Sequence, residues 1–182
     1  TIRSFDVTDF KVKLAAEIKE YNPEEYLDKR AARRLDKFSQ YAIIAAREAM
    51  KDSMITKENT DMERVGAFIG SGMGGLETLE KENRVCLEKG YDKISPMYIP
   101  MVISNMAAGN VAIDLGLRGE SFSIATACSS ATHCIGESYR AIKHGYQDVV
   151  FTGGTEASIT PTGIAGFTNI KALSQAEDKN RA

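Results

Sequence analysis

Cys128 lies in the run Ile124-Ala125-Thr126-Ala127-Cys128-Ser129-Ser130, where a short apolar stretch gives way to a helical pattern. A thiol at the start of a helix sits beside unsatisfied backbone N–H groups. Those donors and the helix dipole can favour the thiolate form of a cysteine so placed. The same amides can hold the oxyanion of a tetrahedral intermediate, so the chemistry allowed here is acyl transfer to sulfur. The pattern also fits a structural cysteine in a buried turn, since most buried thiols are inert, and residue types leave both readings open. The small, uncharged residues after it, Ser129, Ser130, Ala131, Thr132 and Gly136, predict a helix start deep inside the protein. Cys86 in a charged helical stretch and Cys134, six positions past Cys128, read as structural. His133 and His144 offer no partner: at about 100° per residue His133 points off the cysteine's face, and His144 is farther along. Both read as helix-surface or core residues.

Gly70-Ser71-Gly72-Met73-Gly74-Gly75 follows an apolar run and precedes a helical pattern, which satisfies a dinucleotide fingerprint. A nicotinamide-dependent oxidoreductase is therefore the rival from another class. That unit needs a second apolar strand ending in an acidic residue roughly 20 positions on. Lys89 to Ile94 is polar, offers only Asp92 and has no strand before it, so the glycines are better explained by a tight turn.

The elements that must position these residues alternate. Asn22-Pro23-Glu24-Glu25 predicts a helix start that opens a basic segment containing Lys29, Arg30, Arg33 and Arg34. From Leu35, the spacing of Phe38, Ala42, Ala45 and Ala49 predicts an amphipathic helix to about Ser53. Val65 to Ile69 reads as a buried strand and Leu76 to Lys89 as a helix. Ile103 to Leu115 reads as a helix despite Gly109, Ser121 to Ile124 as a strand, Ser129 to Lys143 as a helix and Asp148 to Thr152 as a strand. Such alternation predicts an α/β fold with a mostly parallel sheet covered by helices.

Composition narrows the class. With 182 residues and 43% hydrophobic residues the chain can bury one core. A net charge of -2 gives no global attraction to a polyanion, so no nucleic-acid partner is expected. No apolar run reaches the roughly 20 residues of a membrane span, and residues 1–10 lack a signal-peptide core, so no membrane insertion is expected. Three cysteines without metal or disulfide spacing suit a reducing compartment, and the chain is read as cytoplasmic with no metal or other cofactor.

Several motifs then resemble one family in order and separation. Thr126-Ala127-Cys128-Ser129-Ser130 with Gly136, Gly153-Gly154-Thr155-Glu156, and Gly166-Phe167 leading to Lys171-Ala172-Leu173-Ser174 are similar to the beta-ketoacyl-acyl-carrier-protein synthases, in particular the synthase II group. Phe5 to Phe10, Gly70 to Gly75 and Ile94 to Pro100 extend the match over almost the whole chain.

The resemblance implies a thiolase-like fold, a twofold homodimer and a ping-pong decarboxylative Claisen condensation. In it, Cys128 accepts an acyl chain that is then extended by a malonyl-derived two-carbon unit in fatty-acid elongation. It implies that residues 1–182 are roughly the N-terminal half of a ketosynthase, truncated at both ends. The two histidines and the lysine that assist decarboxylation are then expected in the other half, and the fragment alone is expected not to condense. Met73, Tyr98, Gly163 and Phe167 match positions of the acyl pocket, Met73 that of a gating side chain. Arg30, Arg33, Arg34, Lys93 and Lys171 each read alone as solvated charge. Together they match basic positions at the pocket entrance, where the acidic acyl-carrier protein docks. A ketosynthase of a polyketide pathway is the alternative. A non-catalytic partner of such an enzyme is disfavoured, because such partners generally lack the cysteine that stands here at 128.

Overall fold

The computed structural model describes residues 1–176, 178 and 180. Three parallel strands carry the architecture: β1 (Val65–Gly70) is central, with β2 (Ser121–Phe122) on one side and β3 (Val149–Gly154) on the other. Ala67 pairs with Ser121, while β3 runs in register with β1 from Val65 against Val149 to Gly70 against Gly154. All of β1 is buried, as its unbroken apolar sequence requires of a strand covered on both faces.

Side chains alternate across that strand. Val65, Ala67 and Ile69 meet α2 (Lys37–Ser53) and α5 (Met106–Leu115), which supply Phe38, Ala42, Ile43, Ala46, Ala107, Ala108 and Val111 to the main core. Phe68 faces the opposite way and packs with Cys134 and Ala141 of α6 (Ser130–Lys143). Its ring stacks on Phe122 with centroids 4.0 Å apart.

Local chemistry fixes the helix starts. Asp36 caps α2 by accepting from Phe38 N at 3.3 Å, and its other oxygen accepts from the N–H and hydroxyl of Thr78 at 3.0 and 2.6 Å. Thr78 belongs to α3 (Leu76–Lys89), so one buried carboxyl joins the starts of two helices. Burial pushes this carboxyl up, while the donors on Thr78 and Phe38 pull it down. Arg47 and Asp114 form a two-pronged pair at 2.7 and 2.6 Å that links α2 to α5.

Several expected elements differ. Asn22 does cap a turn with Pro23 in first position, but that turn is a short 3-10 segment, Pro23–Glu25. A separate four-residue helix, α1 (Lys29–Ala32), follows, capped by Asp28. The helix expected over 103–115 begins only at Met106, as α5, and a separate short helix, α4 (Tyr98–Val102), precedes it; Ile103 after α4 is extended, and the glycine loop packs there, Gly75 N donating to Val102 O at 3.0 Å. The strand expected over 121–124 pairs only at Ser121 and Phe122, and β3 runs on through Gly154. A final helix, α7 (Pro161–Asn169), was not among the expected elements. Its signal was present, since Thr160 caps it and Pro161 occupies the first turn.

The start of α6 is buried on one side only. Ser130 and Cys134 are buried, whereas Cys128, Ser129, Thr132 and Gly136 are exposed, as are Ile135, Tyr139 and Ile142 farther along. The small residues there serve close approach to the strands. A Cβ added to Gly70 would stand 2.8 Å from the Ser130 carbonyl carbon and oxygen, and one added to Gly154 would stand 2.7 Å from Ala131 Cβ. Gly70→Ala is therefore expected to cost about 1–3 kcal/mol by overpacking, seen as a lower urea midpoint at unchanged slope. Gly136→Ala, whose Cβ would meet nothing within 4 Å, is the control and should leave stability unchanged or raise it.

Candidate active site around Cys128

After Phe122 the chain leaves the sheet, and Ala127–Ser129 form one 3-10 turn before α6 begins at Ser130. Cys128 therefore precedes the helix proper by two residues, and it is exposed. Ala127 holds φ at 51°, a left-handed conformation that residues with a Cβ rarely adopt. The turn is held by side chains. Ser130 Oγ accepts from Thr126 N at 2.9 Å and donates to Ala127 O at 2.7 Å, while Ser129 N donates to Thr126 O at 3.1 Å. Thr126 Oγ1 is 2.7 Å from His133 Nδ1. His133, read from helical phase as unpartnered, thus fastens the segment leading into the cysteine. Sequence spacing could not show this, because Thr126 is not helical.

The N–H of Cys128 makes no hydrogen bond among the described residues, which leaves it available to a developing oxyanion. The other two cysteines have different surroundings. Cys134 is fully buried and burial pushes its thiol up, and Cys86 is half-buried in α3.

The glycine loop lies against this turn, since a Cβ placed on Gly72 would come 3.7 Å from Ala127 Cα and O. Its amides point inward to a carboxylate of the same chain. Glu156, just beyond β3, accepts from Gly72 N at 2.8 Å and Met73 N at 3.1 Å, and from Ser71 Oγ at 3.3 Å. Ser71 Oγ in turn accepts from Gly74 N at 3.0 Å. In a dinucleotide-binding loop such amides would receive a pyrophosphate. Here the anion position is filled by Glu156, so the fingerprint spacing does not make a nucleotide cradle. In the sequence Glu156 stands inside the motif Gly153-Gly154-Thr155-Glu156 with nothing to mark its role, since the amides it receives lie more than eighty residues earlier.

The proposed pocket residues are only partly gathered. Met73 is half-exposed, and its sulfur lies 3.7 Å from Ser158 Oγ. Gly163, buried in α7, packs against the Ser158 carbonyl and Leu76, so Met73 and Gly163 share Ser158 as a neighbour. Thr162 bonds Glu80 through both its N–H and hydroxyl, which docks α7 on α3. Tyr98 opens α4 and Phe167 lies on the exposed side of α7, and neither hydrogen-bonds to the Cys128 turn among the described residues. A cavity of about 600 Å³ bordered by Tyr21, Lys37, Tyr41 and Glu156 is not lined by Cys128.

The basic residues are all exposed. Arg30 lies in α1, with Arg33 and Arg34 just after it, whereas Lys93 pairs with Asp92 at 3.0 Å and Lys171 follows α7 with φ of 59°. Among the described residues, no group of three or more His, Cys, Asp or Glu could hold a metal, and no helix is long and apolar enough to cross a membrane.

Known proteins resemble this chain in sequence and in fold. The chain is 45% identical over 177 residues to a 3-oxoacyl-[acyl-carrier-protein] synthase 2 of Staphylococcus aureus, covering 97% of this chain and 43% of that protein. It is 42% identical over 178 residues to the synthase 2 of Vibrio cholerae, again covering 43% of the relative's length. The chain thus spans less than half of the relatives it matches. Among solved structures, the ishigamide ketosynthase/chain length factor superposes with a TM-score of 0.86 at 22% identity, over 95% of this chain and 43% of that one. A ketosynthase in complex with a type II PKS acyl-carrier protein gives 0.80 at 23%, over 86% and 45%. The fold is therefore the thiolase-like α/β arrangement of the ketosynthases. Residues 6–182 match the model of the family described as "Beta-ketoacyl synthase, N-terminal domain", and the chain belongs to that family.

Proposed function

We propose that residues 1–182 act as the N-terminal ketosynthase domain of a 3-oxoacyl-acyl-carrier-protein synthase of the synthase II type, in which Cys128 is the acyl acceptor. The observation that carries this is the exposed thiol on a braced turn, with its own N–H free among the described residues, inside a chain of the ketosynthase family. In the first half-reaction, the Cys128 sulfur attacks an acyl thioester and the carrier's thiol leaves with the proton, producing acyl-Cys128. The Cys128 N–H helps hold the oxyanion formed on the way. In the second, loss of carbon dioxide from malonyl-carrier protein yields a carbanion equivalent that attacks the acyl carbonyl. This releases 3-oxoacyl-carrier protein and the free thiol.

Fatty-acid elongation is favoured over a polyketide pathway. The relatives called synthase 2 are 42–45% identical, whereas the ketosynthase in complex with a type II PKS acyl-carrier protein is matched at 23%. Met73, Tyr98, Gly163 and Phe167 are assigned to the acyl pocket. Arg30, Arg33, Arg34, Lys93 and Lys171, all exposed, are assigned to docking of an acidic acyl-carrier protein. A homodimer in the cytoplasm is the assembly in keeping with this reading. No step needs a metal or other cofactor.

Iodoacetamide is expected to label Cys128 faster than Cys86, and far faster than buried Cys134, in the folded full-length protein. Peptide mass spectrometry reads the order. Cys128→Ala should abolish acyl transfer, and retained transfer would move the nucleophile elsewhere.

Arg33→Glu together with Lys171→Glu should lower kcat/KM for an acyl-carrier-protein substrate far more than for a small acyl thioester. The loss should shrink as salt rises. Equal losses with both substrates would place the damage in the fold or the chemistry.

Residues 1–182 expressed alone are expected not to release carbon dioxide from malonyl-carrier protein in the presence of an acyl donor. His133 is engaged with Thr126, and His144 stands at the far end of α6. A cooperatively folded fragment that formed ketoacyl product would put the whole apparatus within these residues.

A further inference from the structure

We infer that Glu156 is a positioning residue for the nucleophile turn. It clamps the glycine loop 71–74 against Ala127 and so maintains the left-handed backbone that presents Cys128. The inference deepens the reading of Cys128 as acyl acceptor and rests on it for its kinetic consequence.

Thr155 N donates to Gly70 O at 3.0 Å, continuing the β1–β3 pairing, and Thr155 Oγ1 donates to Phe38 O at 2.6 Å on α2. The residue that bears the clamp is thus anchored to strand and helix before its side chain reaches out. Glu156 Oε2 then receives two successive loop N–H groups, Gly72 and Met73, and Oε1 receives the Ser71 hydroxyl. Charge-assisted bonds of this kind are about twice as strong as neutral ones.

The loop held in this way has Gly72 facing the turn. A Cβ there would come 3.0 Å from Glu156 Oε2 and 3.7 Å from Ala127. Ala127 is the one residue of its turn with positive φ. Left-handed backbone outside glycine is strained and persists only where surroundings over-determine it. Ser130 braces Ala127 from the helix side through the carbonyl, and the Glu156-held loop passes beside it on the sheet side, near enough that a Cβ on Gly72 would touch Ala127. Removing the carboxylate lets water satisfy the loop amides, but water does not tie the loop to β3.

The same segment reaches Met73 twice, through its N–H by Glu156 and through its sulfur by Ser158. The clamp therefore sets both walls of one corner, the nucleophile turn and the Met73 side chain.

The test uses Glu156→Ala and Glu156→Gln in the full-length protein that carries these residues. Backbone hydrogen exchange by mass spectrometry is the first readout. Glu156→Ala should raise exchange in peptides covering 71–75 and 126–130 together, with α5 unchanged. Glu156→Gln, whose amide oxygen still accepts from both N–H groups, should restore most of the protection. Exchange that rises only at 71–75 would overturn the coupling to the turn.

The second readout is single-turnover acylation of Cys128 by an acyl thioester, followed as the intact-mass gain that Cys128→Ala lacks. Glu156→Ala should slow the acylation rate constant roughly ten- to a hundredfold, the consequence of displacing a reacting atom by about 1 Å. The donor concentration at half-saturation should be little changed, and Glu156→Gln should recover most of the rate. Wild-type acylation rates in Glu156→Ala would overturn the proposal, as would equal losses in both variants accompanied by lost unfolding cooperativity. If the unsubstituted protein were not acylated at Cys128, the functional reading would fail, while the exchange experiment would still decide the clamp.

Discussion

The arrangement around Cys128 depends on how closely α6 approaches the sheet. Gly70 and Gly154 end two adjacent strands, and side chains at either would collide with Ser130 and Ala131. With backbone in that space, the first turn of the helix sits directly on the strand ends, and the 3-10 turn carrying Cys128 is fixed by what lies on each side of it. Protein interiors give little way to an added methyl, so this spacing is held within tenths of an ångström. The two glycines cost conformational entropy on folding, and the packing of β1 between α2, α5 and α6 offsets it.

A second constraint is electrostatic. Consecutive loop amides after a strand make a concavity that attracts anions, and folds that bind nucleotides leave it open for phosphate. Here the chain closes its own concavity with Glu156, while Ser71 takes the next amide. The same loop sequence can therefore serve opposite ends. What separates them is whether a carboxylate from a neighbouring strand end reaches the amides first. Asp36 repeats the logic in the core, where one carboxylate serves the starts of α2 and α3 at once.

The helical layer shows how uneven burial can be along one element. On α6, Cys134, Ser138 and Ala141 face the sheet, while Ile135, Tyr139 and Ile142 stand exposed on the other side. Exposed ion pairs such as Arg118 with Glu63 contribute little to stability by comparison with the Phe38, Phe68 and Val111 packing. The core is built from small residues, alanines above all, on α2 and α5. This lets the helices lie close to β1.

Local rules explain what the sequence by itself determined. The apolar run Val65 to Ile69 bounded by glycines, the helical spacing of Phe38, Ala42, Ala45 and Ala49, and the charged helical pattern of 76–89 each announced their element, although on α2 Ile43 and Ala46 join Phe38 and Ala42 in the core while Ala45 and Ala49 stay exposed. The parallel α/β class and the placement of Cys128 between a strand and a helix followed from them, and the motif series pointed to the family. Tertiary contacts decided the rest. The break at Ile103 exists because the glycine loop packs there, and β2 stops at Phe122 because the chain must turn toward α6. His133 reaches Thr126, and Glu156 reaches amides more than eighty residues earlier in the chain. No periodicity records such pairs, since hydrogen bonds between distant segments depend on where the strands bring their ends. The sequence could single out Cys128 as the candidate nucleophile, but the turn that presents it is made by side chains whose partners only the folded chain selects.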